Sequence, residues 1–472
     1  MAEIEDFEEN PEESYRDRIS TINEDGSRQW VYAKKPQGRY FTKRKILSYF
    51  FLLLLFGLPH VKIDGEQALL FNIIERKFVI FGKIFWPQDM FIFAVGFIVA
   101  VVFVVLFTII YGRLFCGWVC PQTIFMEMVF RRIEYKIEGD WTHQKKLNKG
   151  PWNWNKIWRK ALKHSVFWII SFLIANTFLA YTIGTQELWS IQTDPLGSHL
   201  GGLLAIVIFA TVFYLVFSQL REQVCTTICP YGRLQGVLLD ANTMVVGYDH
   251  KRGEGRGRFK KNEDREAVGK GDCIDCGQCV HVCPTGIDIR NGTQLECVNC
   301  TACMDACDHM MGNVGLEKGL IRLVSENSIE TRKGFEWTKR VKAYTALLVA
   351  LVGVLFILLL TRSDFQSVIL RQRGTTYQMG ENGMVRNIFE INLTNKTRDD
   401  YKIELKLDYP VGELDLVVDD LILEGQEEVK ERLVMRMPLS EINNGKLKVD
   451  IIVLGNGKEI ERVSTKFIGP ML

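Results

Sequence analysis

Residues 273–308 read CIDCGQCVHVCPTGIDIRNGTQLECVNCTACMDACD and hold eight of the twelve cysteines in this chain. Cys273, Cys276, Cys279 and Cys283 follow the spacing C-x2-C-x2-C-x3-C-P. Cys297, Cys300, Cys303 and Cys307 repeat it with Asp308 in place of the proline. Three thiolates two residues apart wrap one face of an iron–sulfur cube, and the fourth, beyond a turn, reaches the neighbouring cube. The expected ligand sets therefore cross over: Cys273, Cys276, Cys279 and Cys307 for one [4Fe–4S] cluster, and Cys297, Cys300, Cys303 and Cys283 for the other. The cross-over ties both halves into one small α+β ferredoxin-like fold and keeps the clusters close. Structural zinc sites use C-x2-C pairs with longer spacers, which this run does not match. Pro284 turns the chain away after the last ligand of its run. Asp308 changes the surroundings of one cluster, and hence its potential, in a direction the sequence does not give.

Working outward, the remaining four cysteines form two copies of C-x3-C-P: Cys116/Cys120 in GRLFCGWVCPQ and Cys225/Cys229 in REQVCTTICPYGR. Each follows a long apolar segment and a basic residue, and each precedes a segment that reads as a surface helix. Residues 46–130 and 165–240 thus read as two related hairpins. If each pair lies on a helix, positions i and i+4 share a face, and the two pairs can converge. Such a thiolate site suits soft metals, Cu(I) above all, or a further iron–sulfur centre. A redox dithiol is the other chemical reading, and small buried packing residues the bland one. His60, His199, His281 and His309 read first as surface or packing residues. Met126, Met128, Met310 and Met311 read as core rather than copper ligands.

The 472 residues carry a net charge of +2, so nothing global points to nucleic acid. Apolar blocks alternate with charged ones, the pattern of a membrane protein with sizeable soluble parts. About five segments qualify as spans: Ile46–Pro59, which is short, Met90–Tyr111, Val166–Ile183, Leu200–Leu220 and Ala343–Leu360. Residues 113–160 carry ten Lys/Arg and residues 184–198 none. The positive-inside rule then places the N-terminus, 113–160 and 221–340 in the cytoplasm and the C-terminal region outside. All twelve cysteines fall on the reducing side, where thiols stay free for metals. The first forty residues are polar and open acidic, unlike a secretory signal. Between the first two spans, RKFVIFGKIFW reads as two short strands around Phe81-Gly82, at the outer surface.

Residues 385–468 switch to a period of two. IFEINLT (388–394) turns Phe389, Ile391 and Leu393 inward, and KIELKLD (402–408) does the same with Ile403, Leu405 and Leu407. ELDLVV, ERLVMRM and KLKVDIIVL follow, with a turn at Asn456-Gly457. Half-buried strands at regular spacing indicate an antiparallel sandwich, a docking module or a stabilising cap. The chain thus divides into a tail (1–40), a four-span membrane domain (41–240), an inserted dicluster domain (241–335), a fifth span (336–362) and an all-β domain (363–472).

Three stretches, YGRLFCGWVCPQTIFMEM, REQVCTTICPYGRLQGVLLDANTMVVGYDHKRGE and GDCIDCGQCVHVCPTGIDIRNGTQLECVNCTACMDACD, closely resemble the cytochrome c oxidase accessory proteins of the FixG/RdxA/CcoG family. The similarity runs from about Trp30 to Leu472. It implies a protein of the bacterial inner membrane with a polyferredoxin-like loop and an immunoglobulin-like C-terminal domain. It also implies a role in assembling a haem–copper oxidase, with reduction of Cu(II) to Cu(I) as the activity. Carried over by position, the cluster ligands are the eight cysteines above, and Cys116, Cys120, Cys225 and Cys229 match the pairs that handle copper or another redox centre. Gly255 stands in the basic loop RGEGRG where the family has proline. Expected partners are the membrane, oxidase assembly factors or a copper transporter, and an electron donor the sequence does not identify; a homodimer is left open. Two other readings are a quinol-linked electron-transfer subunit for another reductase, and a non-enzymatic assembly scaffold or sensor.

Overall fold

The computed structural model describes residues 21–472 except positions 24, 26, 64, 74–76, 87, 88, 196, 262, 373, 375, 381, 382, 417, 419, 420, 471 and 472. The acidic start of the tail lies outside the described residues. The chain forms two compact units, Met1–Gly82 with Phe93–Gly353, and Lys83–Ile92 with Val354–Leu472.

The first unit is helical where the sequence is apolar and uncharged. Helix α1 covers Arg39–Gly57 and α2 covers Met90–Tyr111. Two short helices, α3 (Leu114–Trp118) and α4 (Arg131–Ile137), follow. The long α5 is Trp154–Ile183, α6 is Leu200–Leu215 and α7 is Pro230–Leu238. Among the described residues four helical segments are long and apolar enough to cross a membrane by length and composition: Met90–Tyr111, Trp154–Ile183, Leu200–Leu220 and Lys339–Leu360. At 1.5 Å per residue a 22-residue helix is about 33 Å long, enough for a hydrocarbon core of about 30 Å. The expected first span falls within α1, where Arg39, Lys43, Arg44 and Lys45 share the helix with its apolar end. That end nevertheless runs beside α5 almost to its last turn, where Tyr181 Oη donates to the Leu55 carbonyl at 2.8 Å. Phe130, Phe167 and Phe217 centre the packing among α1, α5, α6 and the segment before α4.

The cysteine region interrupts this unit as an insert closed by a two-stranded ribbon. Strand β1 (Val245–Tyr248) pairs antiparallel with β2 (Ile321–Val324), from Val245 opposite Val324 to Tyr248 opposite Ile321. Between them lie α8 (Gln278–His281) and α9 (Ala302–Val314). The two expected short strands are present as Lys77–Ile80 and Lys83–Phe85, with Phe81 (φ 47°) and Gly82 (φ 78°) between them in sequence.

The second unit is the antiparallel sandwich. One sheet has the order Glu413–Leu416, Glu428–Pro438, Met384–Asn395, Phe365–Arg371, with Gln378–Met379 also on Met384–Asn395. The other has the order Leu421–Leu423, Tyr401–Asp408, Lys446–Gly455, Lys458–Ile468. Phe389, Ile391 and Leu393 are fully buried, as their alternation requires, against Leu433, Ile451 and Phe467 of neighbouring strands. Asn456 and Gly457 make the last hairpin turn, both at positive φ. Phe365–Arg371 is a strand the alternation did not reveal. Within this unit Asp89 is buried between two cations: Lys396 Nζ at 2.7 Å and Arg362 Nη2 at 3.0 Å.

Candidate metal centres

The two cysteine runs fold as a structural repeat. Asp275 and Gly277 in the first run have φ of 50° and 63°; Asn299 and Thr301, at the same places in the second, have 50° and 64°. Left-handed residues between successive cysteines curl the backbone so that three sulfurs face one side. Asp, Asn and Gly tolerate that conformation; a β-branched threonine pays a steric penalty. The runs differ where the proline differs. Helix α8 ends at His281, shortly before Cys283-Pro284, whereas α9 continues through Cys307 and Asp308 to Val314. Asp308 uses the continuation: Oδ1 accepts from the Gly319 backbone at 2.9 Å and Oδ2 from Arg39 at 3.3 Å.

Two cavities lie in this insert. The first is lined by Cys273, Cys276, Cys279 and Cys307 with Tyr248, Arg290 and Met311 among their neighbours. The second is lined by Cys283, Cys297, Cys300 and Cys303, with Cys279 at its edge. Electrostatic neighbourhoods divide the same way. Cys307 interacts with Cys279, Cys276 and Cys273, while Cys303 interacts chiefly with Cys300, Cys297 and Cys283. Burial pushes the Cys279, Cys297 and Cys307 thiols up to about 12 and Cys300 to about 11, and it raises Cys303 well above the ordinary thiol range. Among the described residues no carboxylate or imidazole lines either cavity, and no three His, Cys, Asp or Glu are grouped to hold a single metal ion. Four buried or half-buried thiols around a space, with no hard ligand, fit a cube in which each sulfur binds its own iron. They fit a mononuclear site poorly.

The C-x3-C-P motifs also repeat in three dimensions, but not on helix faces. Cys116 lies in α3 and Cys120 beyond its end, in extended conformation at the N-cap of the next helix. Likewise Cys225 lies in the helical turn Val224–Ile228, and Cys229 is the extended N-cap of α7. The prolines explain this. A residue preceding proline is pushed out of the α region, and proline favours the first helical position. The shared i, i+4 helix face is therefore wrong, yet the four thiols converge. Cys116 interacts with Cys120 and Cys229, and Cys225 with Cys120, Cys116 and Cys229. Burial raises the Cys116 thiol and pushes Cys225 up to about 12. The segment after Cys120 is not a surface helix either. Phe125, Met126, Met128 and Phe130 are buried in it.

This quartet packs directly on the second cysteine cavity. Cys116, Val298 and Cys300 share one buried cluster, with Cys225 and Cys303 against it. Gly117 makes the approach possible: a β-carbon there would lie 2.4 Å from the Val298 carbonyl oxygen. Gln235, buried on α7, donates from Nε2 to the Cys116 sulfur at 3.4 Å. The Arg113 guanidinium is buried between the two sets, donating to the Leu295 carbonyl and, at 3.5 Å, to that of Cys225.

Residues 220–326 match the 4Fe-4S dicluster domain, residues 93–148 a 4Fe-4S binding domain, and residues 355–470 the Ig-like fold at the C-terminus of FixG. Protein RdxA of Cereibacter sphaeroides is 35% identical over 358 residues, 74% of each chain. The chain belongs to the FixG/RdxA family. Nitrogen fixation protein FixG of Rhizobium meliloti is 36% identical over 62% of this chain and 57% of its own length. Protein RdxB of Cereibacter sphaeroides is 29% identical over 80% and 82%.

Several features of this FixG/RdxA-family chain escaped sequence reasoning. The basic loop after Arg252 is mostly exposed but is anchored by one buried side chain. Arg265 is buried and donates to the carbonyls of Gly271 (2.5 Å), Gly257 (3.2 Å) and Cys273 (3.0 Å), fixing the start of the first cysteine run. Gly255 has φ +78°, and a β-carbon there would meet the Gly269 carbonyl at 2.5 Å. Proline, locked near −65°, cannot adopt that conformation. His281 stacks on Trp141 at 4.8 Å, and His199 faces Asp194 at 3.2 Å.

Proposed function

We propose that the chain is a membrane-bound iron–sulfur electron-transfer protein that reduces Cu(II) to Cu(I) in support of haem–copper oxidase assembly. Cys273, Cys276, Cys279 and Cys307 would hold one [4Fe–4S] cluster, and Cys297, Cys300, Cys303 and Cys283 the other. When bound, the clusters supply one-electron storage at two adjacent points. The chain's own contribution is arrangement. Apolar packing limits water around both sulfur sets, Arg113 places positive charge between the second set and the quartet, and Gly117 lets them touch. Cu(II), the substrate, gains one electron to become Cu(I) at Cys116, Cys120, Cys225 and Cys229. Soft thiolates without carboxylate competitors favour Cu(I) over Cu(II), which assists the reduction. The observation carrying this reading is the shared packing of Cys116 and Cys225 with Cys300 and Cys303.

The charge pattern supports a placement in the bacterial inner membrane with both thiol regions at the cytoplasmic face and the sandwich outside. The reach of α1 along α5 supports its counting as a fifth crossing. The test is anaerobic reduction of Cu(II) by the purified, dithionite-reduced protein, read with a Cu(I)-specific chelator. Cys116→Ser/Cys225→Ser is expected to lower the rate at least about tenfold with iron content intact; an unchanged rate refutes the assignment.

A further inference from the structure

Electrons must enter the cysteine region from somewhere, and one cavity lies against the first sulfur set without including its cysteines. It has a volume of about 600 Å³, within the range of about 300–1,000 Å³ usual for small-molecule sites. Gln278, Val282, Ala306 and Met310 form part of its lining. The first two and Ala306 immediately precede Cys279, Cys283 and Cys307 in the chain. Gln278 and Met310 also line the first cysteine cavity, so one layer of side chains separates the two spaces.

The cleft carries a small excess of positive charge, and its carboxylates are committed to other partners. Lys34, Lys35, Arg39 and Lys318 line it, against Asp140, Asp305 and Asp308. All three carboxylates are already occupied by backbone N–H groups. Asp305 accepts from Tyr40 (3.1 Å) and Phe41 (2.7 Å), Asp140 from Lys35 (3.0 Å) and Trp141 (2.8 Å), and Asp308 from Gly319 (2.9 Å). Lys34 Nζ donates to Gln278 at 2.8 Å, and Arg39 pairs with Asp308. Among the described residues no carboxylate pairs with the ammonium of Lys35 or Lys318. Two uncommitted ammonium groups over an open cleft make a place for a phosphate.

We infer that this cleft binds a phosphorylated flavin in its reduced form and is the electron entry point of the electron-transfer reading above, on which the inference rests. Iron–sulfur cubes take electrons singly. A reduced nicotinamide gives up a hydride, whereas a dihydroflavin releases one electron at a time. Oxidation of dihydro-FMN to FMN frees two electrons and two protons. The electrons leave across the Gln278 and Met310 wall toward the two sulfur sets, one to each, and the protons pass to water in the cleft. Lys35 and Lys318 hold the phosphate.

The test uses the full chain, purified without oxygen in detergent, with its iron reducible by dithionite. Binding of oxidised FMN is read by quenching of flavin fluorescence, independently of electron transfer. Saturable binding is expected. Riboflavin, which lacks the phosphate, and the Lys35→Glu/Lys318→Glu variant with its iron content unchanged should each bind at least about tenfold more weakly, the scale of one charge-assisted contact. Photoreduced FMN should bleach the iron–sulfur absorbance at a rate that saturates in the parent and loses saturation in the variant. If charge reversal lowers iron content, Lys35→Gln/Lys318→Gln is used, with the same direction expected. Equal affinity for FMN and riboflavin, or a variant that binds as the parent does, overturns the inference. So does saturable reduction by reduced flavodoxin without FMN binding, which assigns the cleft to a protein donor. Failure of dithionite to reduce the iron sinks the electron-transfer reading and the donor role with it, while the FMN titration still decides the binding site.

Discussion

The C-terminal sandwich and the cysteine insert solve the same problem with different materials. The sandwich buries a continuous set of aliphatic and aromatic side chains from two sheets, Phe389, Ile391, Leu433 and Phe467 among them. The insert has a short two-stranded ribbon and two modest helices, and its core includes the cysteines themselves, Cys273, Cys279 and Cys307 beside Ile287 and Met311. One region is held by apolar burial that needs no bound group; the other depends on what its sulfurs bind. The contrast teaches that the same degree of burial can mean a finished core or a half of one.

The largest expected effect separates the two regions outright. Stripping iron, or replacing Cys303 with serine, should abolish slow amide exchange across 273–314 while leaving Met384–Asn395 and Glu428–Pro438 protected; uniform loss in both regions would erase the distinction. Next, the sandwich should yield only to its own contacts. Phe389→Ala is expected to cost about 3–5 kcal/mol through the cavity it leaves. Lys396→Ala should cost less, about 1–3 kcal/mol, because Asp89 loses one partner but keeps its pair with Arg362. Both are read by denaturant unfolding, with iron content unchanged.

An effect of similar size is expected where the insert meets the thiol quartet. Gly117→Ala forces a β-carbon toward the Val298 carbonyl and should cost about 1–3 kcal/mol, with a shift in the iron–sulfur spectrum. The smallest concerns pH in the iron-free chain. Buried thiols whose folded values lie near 11–12 prefer to be neutral, so their contribution is fully present below the ordinary thiol range and is lost as pH rises toward about 12. The iron-free insert should therefore be less resistant to proteolysis at pH 10.5 than at pH 8, with the sandwich less affected.

How much was legible follows the same division. Period-two alternation announced the sandwich because burial of one face leaves a mark at every second residue. The cysteine spacing announced both sulfur sets because ligation is local. The convergence of Cys116, Cys120, Cys225 and Cys229 was foreseen from the repeat, but for the wrong reason: Pro121 and Pro230 break the helices on which the cysteines would have shared a face. Arg265, Gln235, Arg113 and the Asp89 pairing left no such mark. A buried arginine aimed at a backbone carbonyl, or a carboxylate whose cations lie some 270 and 310 positions further on, has no periodicity to betray it. The short segment Ile46–Pro59 falls mostly in α1, whose apolar end shares the helix with four basic residues and which does not meet the length and hydropathy of a span among the described residues.

The central claim is that two sulfur sets in 273–307 each grip a cube. It is tested most directly by counting iron and acid-labile sulfide in protein purified without oxygen, paired with electron paramagnetic resonance of the reduced form. The account predicts about eight of each per chain and the spectrum of two interacting reduced cubes. Zinc in place of iron, or about four iron atoms with the signal of an isolated cube, would contradict it.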